Sequence, residues 1–135
     1  MLLRRWVYAL VVLFSGAISG QAWATSSLFC SGIDTDVSAQ ILFGSGPILN
    51  ALEATVGVAK TEITTRTDLT DQPASIVQFK GNEDEIHLDL VDSQATIVLA
   101  SLRVLRFDNG VDEPLQIGFV KIAANPPAAI RCEGP

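Results

Sequence analysis

The stretch GNEDEIHLDLVD, residues 81 to 92, holds the densest group of side chains in this chain that could do chemistry. It contains five carboxylates and His87, the only histidine in the sequence. A histidine beside carboxylates can bind a divalent metal ion or exchange protons with a substrate. The same residues also suit a strand face that points into water. Three interpretations therefore have to be compared.

The metal interpretation depends on how a strand spaces its side chains. If a strand begins at Glu85, then Glu85, His87 and Asp89 point to one face, roughly 6.5–7 Å apart along the strand. Two or three of them could then bind one zinc, manganese or copper ion, provided that a neighbouring strand or loop added further ligands. Calcium needs oxygen ligands alone and could use the acids of the flanking turns, but the spacing of a calcium loop is absent.

A solvated strand face explains the same residues with fewer assumptions. Ile86, Leu88 and Leu90 alternate with the polar residues and would point into a core, and a half-exposed strand places polar groups on its water side. Zinc sites normally use more His or Cys side chains than the one His and two Cys of this chain. The sequence therefore predicts a solvated face, with metal binding by Glu85, His87 and Asp89 as the alternative.

No pattern of catalytic residues accompanies His87. The sequence lacks the GxSxG turn of a serine hydrolase, and GSG at 44 to 46 lacks the following GK of a phosphate-binding loop. Acids such as Asp34 and Asp36 could be paired as in a glycosidase, but fifteen acidic residues produce many such pairs by chance. Because no nucleophile, base and orienting group can be assembled, we predict a protein that is not an enzyme and that needs no cofactor.

Residues 1–24 have the three parts of a secretory signal peptide. Arg4 and Arg5 precede an uncharged apolar run over 6–18, and Ala22 and Ala24 form a small-x-small cleavage pattern. The run is shorter than the ~20 residues that a membrane span needs, although a retained anchor is the alternative. We predict cleavage after Ala24, export to the periplasm or the extracellular medium, no membrane attachment after cleavage, and a single domain over 25–135.

Charge limits the partners of the exported chain. Without Arg4 and Arg5, seven of the nine basic residues remain against fifteen acidic ones, a formal net charge of −8 with His87 neutral. Binding to nucleic acid or to anionic lipid needs clustered Lys and Arg, so neither is expected. A cationic protein of the envelope or of the extracellular medium fits better. The sequence does not set the oligomeric state.

The two cysteines predict one structural disulfide. Cys30 lies near the start of the exported chain and Cys132 near its end. An even number of cysteines in an exported chain favours a disulfide, and there is no CxxC spacing to indicate redox or metal chemistry. Such a bond requires the two Cα atoms to lie within ~7 Å, so the first and last segments of the domain must be neighbours.

The rest of the chain alternates with a period of two and is interrupted by turn signals such as GSGP, DQP and DNG. This pattern predicts an all-β fold, a small antiparallel β-sandwich or barrel of about eight strands. Residues 95–107 alone could also form a helix, but their β-branched start favours a strand. The expected strands are 37–43, 52–58, 62–67, 75–80, 85–91, 95–107, 115–122 and 128–132.

Three hypotheses for function follow. The first is an exported, non-enzymatic binding or interaction protein of the cell envelope or periplasm, which acts through its acidic surface. The second is a metal-binding protein that uses Glu85, His87 and Asp89. The third is a structural envelope component that associates with itself through an edge strand.

Overall fold

The computed structural model describes residues 25–46 and 48–134, which form one antiparallel sheet of nine strands curled into a half-barrel. The predicted signal peptide, residues 1–24, lies outside the described residues. The described part of the chain has no helix of the length and hydropathy needed to cross a membrane. The strands are β1 (Ser26–Gly32), β2 (Val37–Phe43), β3 (Ala51–Val58), β4 (Thr61–Thr64), β5 (Ser75–Gly81), β6 (Glu85–Val91), β7 (Val98–Phe107), β8 (Leu115–Ile122) and β9 (Ala128–Glu133).

The all-β prediction is confirmed, and each of the eight predicted strands has a counterpart, but the strands form one curled sheet rather than the two packed sheets of a sandwich or a closed barrel. The ninth strand, β1, was not predicted because SSLFCSG carries little of the expected pattern. In it Leu28 and Cys30 are buried, but the alternate position is occupied by Phe29, which is exposed. An exposed phenylalanine between two buried residues hides the period of two.

Strand β7 begins three residues later than predicted, at Val98. The carboxylate of Asp92 accepts hydrogen bonds from the backbone N–H groups of Thr96 (2.7 Å) and Ile97 (3.1 Å) and from the hydroxyl of Thr96 (2.7 Å). These bonds hold residues 92–97 as a turn, because a short acidic side chain competes with the strand for backbone donors. The strand, rather than the helical alternative, is confirmed for 98–107.

The sheet order is β4-β3-β2-β1-β9-β8-β7-β6-β5, so the first and last strands pair at its centre. Only four residue pairs join β1 to β9, and one of them is Cys30 with Cys132. These two residues form the predicted disulfide, with Cα atoms 4.0 Å apart. The prediction that the first and last segments are neighbours is confirmed, and a disulfide of this kind suits a non-reducing, exported environment.

The curl of the sheet brings its distant strands together around one core. The rings of Phe43 in β2 and Phe79 in β5 lie 6.0 Å apart, although several strands separate them in the sheet. Near the edges, the backbone N–H of Ala74 donates to the carbonyl of Thr64 (2.8 Å). Inward side chains from most strands fill the interior, and each fully buried aliphatic side chain contributes about 1.5–3 kcal/mol.

Gly118 permits the closest approach of two strands. A Cβ atom at this position would overlap the backbone carbonyl of Arg103 in β7. Because only glycine lacks that atom, β8 can pair with β7 along its whole length, from Phe107–Leu115 to Ala100–Ile122.

Loss of the disulfide should destabilise the whole sheet. The bond closes a loop of 102 residues, for which the loop-entropy model gives about 4.7 kcal/mol as an upper figure. We expect Cys30→Ala/Cys132→Ala to lower the free energy of unfolding by about 2–5 kcal/mol, measured by guanidinium denaturation. Wild-type protein with reductant is the control and should match the variant. Equal stability of variant and oxidised wild type would contradict the central role of this bond.

Candidate functional site

Strand β6 presents the predicted row of polar residues on the outer face of the sheet. Ile86 and Leu88 are buried, whereas the side chains of Glu85, His87 and Asp89 are 27%, 32% and 14% exposed. The alternation inferred from the sequence is therefore present. The row is only partly in contact with water, because longer side chains from the strands on either side lean over it.

Glu85 is held by a cation from β5. Its Oε1 atom accepts a hydrogen bond from Nζ of Lys80 (2.6 Å), and its Oε2 atom lies 3.2 Å from Nε2 of His87. The hydrogen bond and charge of Lys80, with a smaller contribution from His87, lower the pKa of this carboxyl below its ordinary value. Glu85 is therefore ionised and paired at neutral pH.

Asp89 is held by a cation from β7. The guanidinium of Arg103 donates to both carboxylate oxygens, at 2.9 Å and 3.2 Å, and also to the carbonyls of Leu88 and Leu102. Partial burial acts to raise the pKa of Asp89, but the hydrogen bonds from Arg103 and Ser101 and the charge of Arg103 outweigh it and lower the pKa. A bidentate, charge-assisted hydrogen bond of this kind is among the stronger polar contacts in proteins.

These contacts leave the row little freedom to coordinate a metal. Within residues 25–46 and 48–134, no three His, Cys, Asp or Glu side chains are grouped so that they could hold a metal ion. Coordination by Glu85, His87 and Asp89 would require Lys80 and Arg103 to release their carboxylates first. Metal binding by this row stays a prediction.

A second group of acids lies at one end of the half-barrel, where β5, β7 and β9 end. Three adjoining concavities of about 600, 550 and 290 Å³ open there, and all three include Arg106. We call this region the acidic mouth. Its six carboxylates are those of Glu83, Asp84, Asp108, Asp112, Glu113 and Glu133.

Two turns hold most of these acids in place. In the turn between β5 and β6, the side-chain carbonyl of Asn82 accepts hydrogen bonds from the backbone N–H groups of Asp84 (2.8 Å) and Glu85 (2.9 Å). In the connection between β7 and β8, that of Asn109 accepts from Val111 and Asp112 (both 3.0 Å). Asparagine side chains bond to nearby backbone in this way in tight turns.

Two further contacts tie the mouth together. The backbone N–H of Arg106 donates to the carbonyl of Asp84 (2.8 Å), which joins the two turns. The side-chain amide of Gln116 donates to the carbonyl of Gly134 (2.7 Å), which fixes the end of β9 against β8. The acids therefore belong to one rigid end of the sheet rather than to independent loops.

The centre of the mouth holds one unpaired donor and one unpaired acceptor. Nε of Arg106 and Oε1 of Gln116 are both buried and have no hydrogen-bond partner, and the two residues face each other across β7 and β8. Gln116 is only 2% exposed. Buried polar groups are nearly always paired, so a donor such as a water molecule is expected at this oxygen.

Sequence reasoning identified the row on β6 but not the acidic mouth. It did not assign Asp108, Asp112 and Glu113 to a site, and it did not connect them with Glu133. The available signal was the acid content of two turns, GNED and DNGVDE, which would share an end of any antiparallel sheet. Asp34 and Asp36 lie elsewhere, between β1 and β2.

Comparisons with known proteins add no family to this description. No protein-family model matches the chain, and neither a curated protein nor a solved structure is significantly similar to it.

Removing the cation that holds Asp89 should destabilise the protein. We expect Arg103→Met to lower the free energy of unfolding at pH 7 by about 1.5–3 kcal/mol, because it leaves a partly buried carboxylate without its charged partner. The matched control is Lys121→Met on β8, an exposed residue that should change stability by about 0.5 kcal/mol or less. Denaturant titration measures both.

The contribution of the Asp89–Arg103 ion pair to stability should depend on pH. The pKa of Asp89 is lower in the folded protein, so the ion pair stabilises above the unfolded pKa of about 3.9 and is lost as the pH falls through the folded pKa. The difference in stability between wild type and Arg103→Met should therefore shrink below about pH 4. A difference that does not change with pH would contradict this assignment.

A calorimetric titration tests the metal hypothesis. Because Lys80 and Arg103 hold the carboxylates, we expect Zn²⁺, Cu²⁺ and Ca²⁺ to give the same heats with wild type and with His87→Ala. A saturable heat in wild type that is lost in the variant would establish the row on β6 as a metal site.

Proposed function

We propose that this protein is an exported, non-enzymatic binding protein of the cell envelope that captures a cationic protein in its acidic mouth. The proposal joins the predicted signal peptide and the acidic composition to one structural observation. That observation is the collection of six carboxylates around adjoining concavities at one end of the sheet, with Arg106 as the cation among them.

The charge balance of the mouth favours a cationic partner. Six of the fifteen acidic residues of the chain line it. The guanidinium of Arg106 takes part in none of the ion pairs within the described residues. Like charges held close together repel one another, and a Lys or Arg side chain that enters the concavity would relieve that repulsion. The field of such a cleft also raises the rate of encounter with a cation.

Gln116 adds a specific contact to this general attraction. Its buried Oε1 has no donor, and it belongs to the concavity of about 290 Å³ that Arg106, Glu113 and Glu133 also line. If the side chains of Gln116 and Arg106 turned toward the concavity, an N–H group of a partner could donate to this oxygen and Nε of Arg106 could donate to a carbonyl of the same partner. One peptide segment with a cationic side chain offers both groups.

The row on β6 supports the choice of the mouth over the strand face. There the carboxylates of Glu85 and Asp89 are already neutralised by Lys80 and Arg103. The acids of the turns bond to nearby backbone and side-chain amides instead, as Asp108 does to the N–H of Gly110 (2.8 Å), and so keep their charge available.

Capture should depend on the acids of the mouth and not on net charge alone. We expect Asp108→Asn/Asp112→Asn/Glu113→Gln to lose the cationic proteins that the wild type captures from envelope extract at low salt. The matched control is Asp34→Asn/Asp36→Asn/Glu62→Gln, which removes the same number of charges from exposed positions outside the mouth. A synthetic oligolysine serves as the defined probe, and its affinity should fall about tenfold or more in the first variant only.

The same binding experiment can be repeated at increasing salt concentrations. Attraction between exposed charges is screened at high ionic strength, so capture and oligolysine binding should both weaken steeply as salt is added. Equal loss in the two variants would show that net charge, not the mouth, is responsible. The proposal would be overturned if capture did not depend on salt concentration, or if the captured proteins were not basic.

A further inference from the structure

The outer face of β7 and β8 carries large apolar side chains where a solvent-facing sheet normally carries polar ones. These side chains are 37–54% exposed. By contrast, the outward positions in the middle of β2 and β3 are mostly polar, as Ser38, Gln40 and Thr55 show. We call the apolar region the β7–β8 face. It consists of Leu105, Phe107, Leu115, Ile117 and Phe119.

The register makes this face continuous. Leu105 pairs with Ile117, Phe107 pairs with Leu115, and Phe119 lies one row further along, opposite Arg103. Cross-strand partners of this kind have Cβ atoms about 4.5–5.5 Å apart, so their side chains touch. A full aromatic side chain covers about 150–250 Å², and the exposed parts of the five therefore present roughly 400–500 Å² of apolar surface. A patch of that size is at the level where apolar surface is often functional.

The charges beside the face are arranged so that the surface complements itself. One row across the sheet runs from Glu85 in β6 through Leu105 and Ile117 to Arg131 in β9. An acid, which already accepts a hydrogen bond from Lys80, thus lies on one side of the apolar pair and a base on the other. Arg131 takes part in none of the ion pairs within the described residues.

We infer that two copies of this chain associate through the β7–β8 face, around a two-fold axis that runs parallel to the strands between β7 and β8. Such an axis turns one face over onto the other. It places Leu105 over Ile117 of the second copy and Glu85 over Arg131 of the second copy, and the reverse pairs form by symmetry. Two sheets that pack face to face lie about 10 Å apart with their strands nearly aligned.

The curvature of the sheet fits this arrangement. The outer face of a half-barrel is convex, so two copies touch closely along β7 and β8 and diverge toward β6 and β9. Glu85 and Arg131 carry long side chains at these diverging edges. The apolar patch supplies about half of the roughly 800 Å² per partner that a standard-size interface buries, and the charged rim adds to it.

The β7–β8 face and the acidic mouth adjoin, because Phe107 and Leu115 belong to the face and also line the concavity of about 600 Å³. Because the axis is parallel to the strands, both mouths point to the same end of the dimer. The inference does not rest on the proposed function, and the acid variants of the mouth and the apolar variants of the face test the two separately.

Sedimentation velocity of the purified protein over a wide range of concentrations tests the inference. We expect the wild type to dimerise and Leu105→Glu to weaken dimerisation about tenfold or more, with an unchanged far-ultraviolet dichroism spectrum. Leu69→Glu is the control, since Leu69 is equally exposed but lies between β4 and β5, and it should dimerise like the wild type.

A charge exchange tests the two-fold arrangement itself. Glu85→Arg and Arg131→Glu should each weaken the dimer, because each places like charges opposite one another, and the double variant should recover the wild-type affinity. A wild type that is monomeric at every concentration would overturn the inference and leave the face to a different protein. A dimer that tolerates Leu105→Glu but is lost in Val77→Lys on β5 would assign self-association to an edge strand instead.

Discussion

The pairing of β1 with β9 is the contact on which the rest of this fold depends. Four residue pairs and one disulfide connect a unit built from β1 to β4 with a unit built from β5 to β9. Both units contribute to the same interior, since Phe43 of the first meets Phe79 of the second. If β1 and β9 separate, each half exposes the inward face that it shares with the other. The disulfide therefore reinforces one of the two shortest strand pairings of the sheet, the one that joins its two halves.

Acidic residues have two different environments in this molecule. On β6 they stand next to strands that supply cations, and Lys80 and Arg103 neutralise Glu85 and Asp89. In the turns the nearby Arg106 forms no ion pair with these acids within the described residues, and the side chains bond to local backbone and amide groups, as Asp108 and Asn109 do. Acidic residues thus form ion pairs in the middle of the sheet, whereas at its end their charges produce a negative electrostatic potential. This difference in environment explains why the acidic mouth, rather than the histidine row, is the better candidate for a binding site.

The sequence allowed the fold class and the disulfide to be predicted, because alternation and cysteine count reflect local rules that the tertiary structure obeys. The strand prediction was wrong for β1, where an exposed Phe29 interrupts the alternation. It was also wrong for the start of β7, where the carboxylate of Asp92 accepts hydrogen bonds from backbone N–H groups. It also gave no sign that Ala59, Ala95 and Ala123 adopt positive φ angles of 51°, 56° and 43° at turns, where glycine is the usual residue.

The candidate site was predictable only in part, for a different reason. The composition of the row on β6 follows from alternation, whereas the pairing of Asp89 with Arg103 depends on the register of β6 and β7. The mouth depends on which strand ends meet, and it draws Asp84, Glu113 and Glu133 from distant parts of the chain. Nothing in the local sequence states that β9 ends beside the connection between β7 and β8. Strand order, which the alternation does not encode, is what gathers these charges.

The strand order has a further consequence for how the chain could be rearranged. Read across the sheet from β5 to β4, the strands follow as β5 to β9 and then β1 to β4, each antiparallel to the one before. A circular permutant that starts at Ser75 and ends near Thr64, with a short link from β9 to β1, would therefore be a simple up-and-down meander. In that permutant Cys30 and Cys132 would lie only a few residues apart, across a hairpin. The same covalent bond would then restrict the unfolded chain very little, so its stabilising effect arises from the route of the natural chain through the sheet.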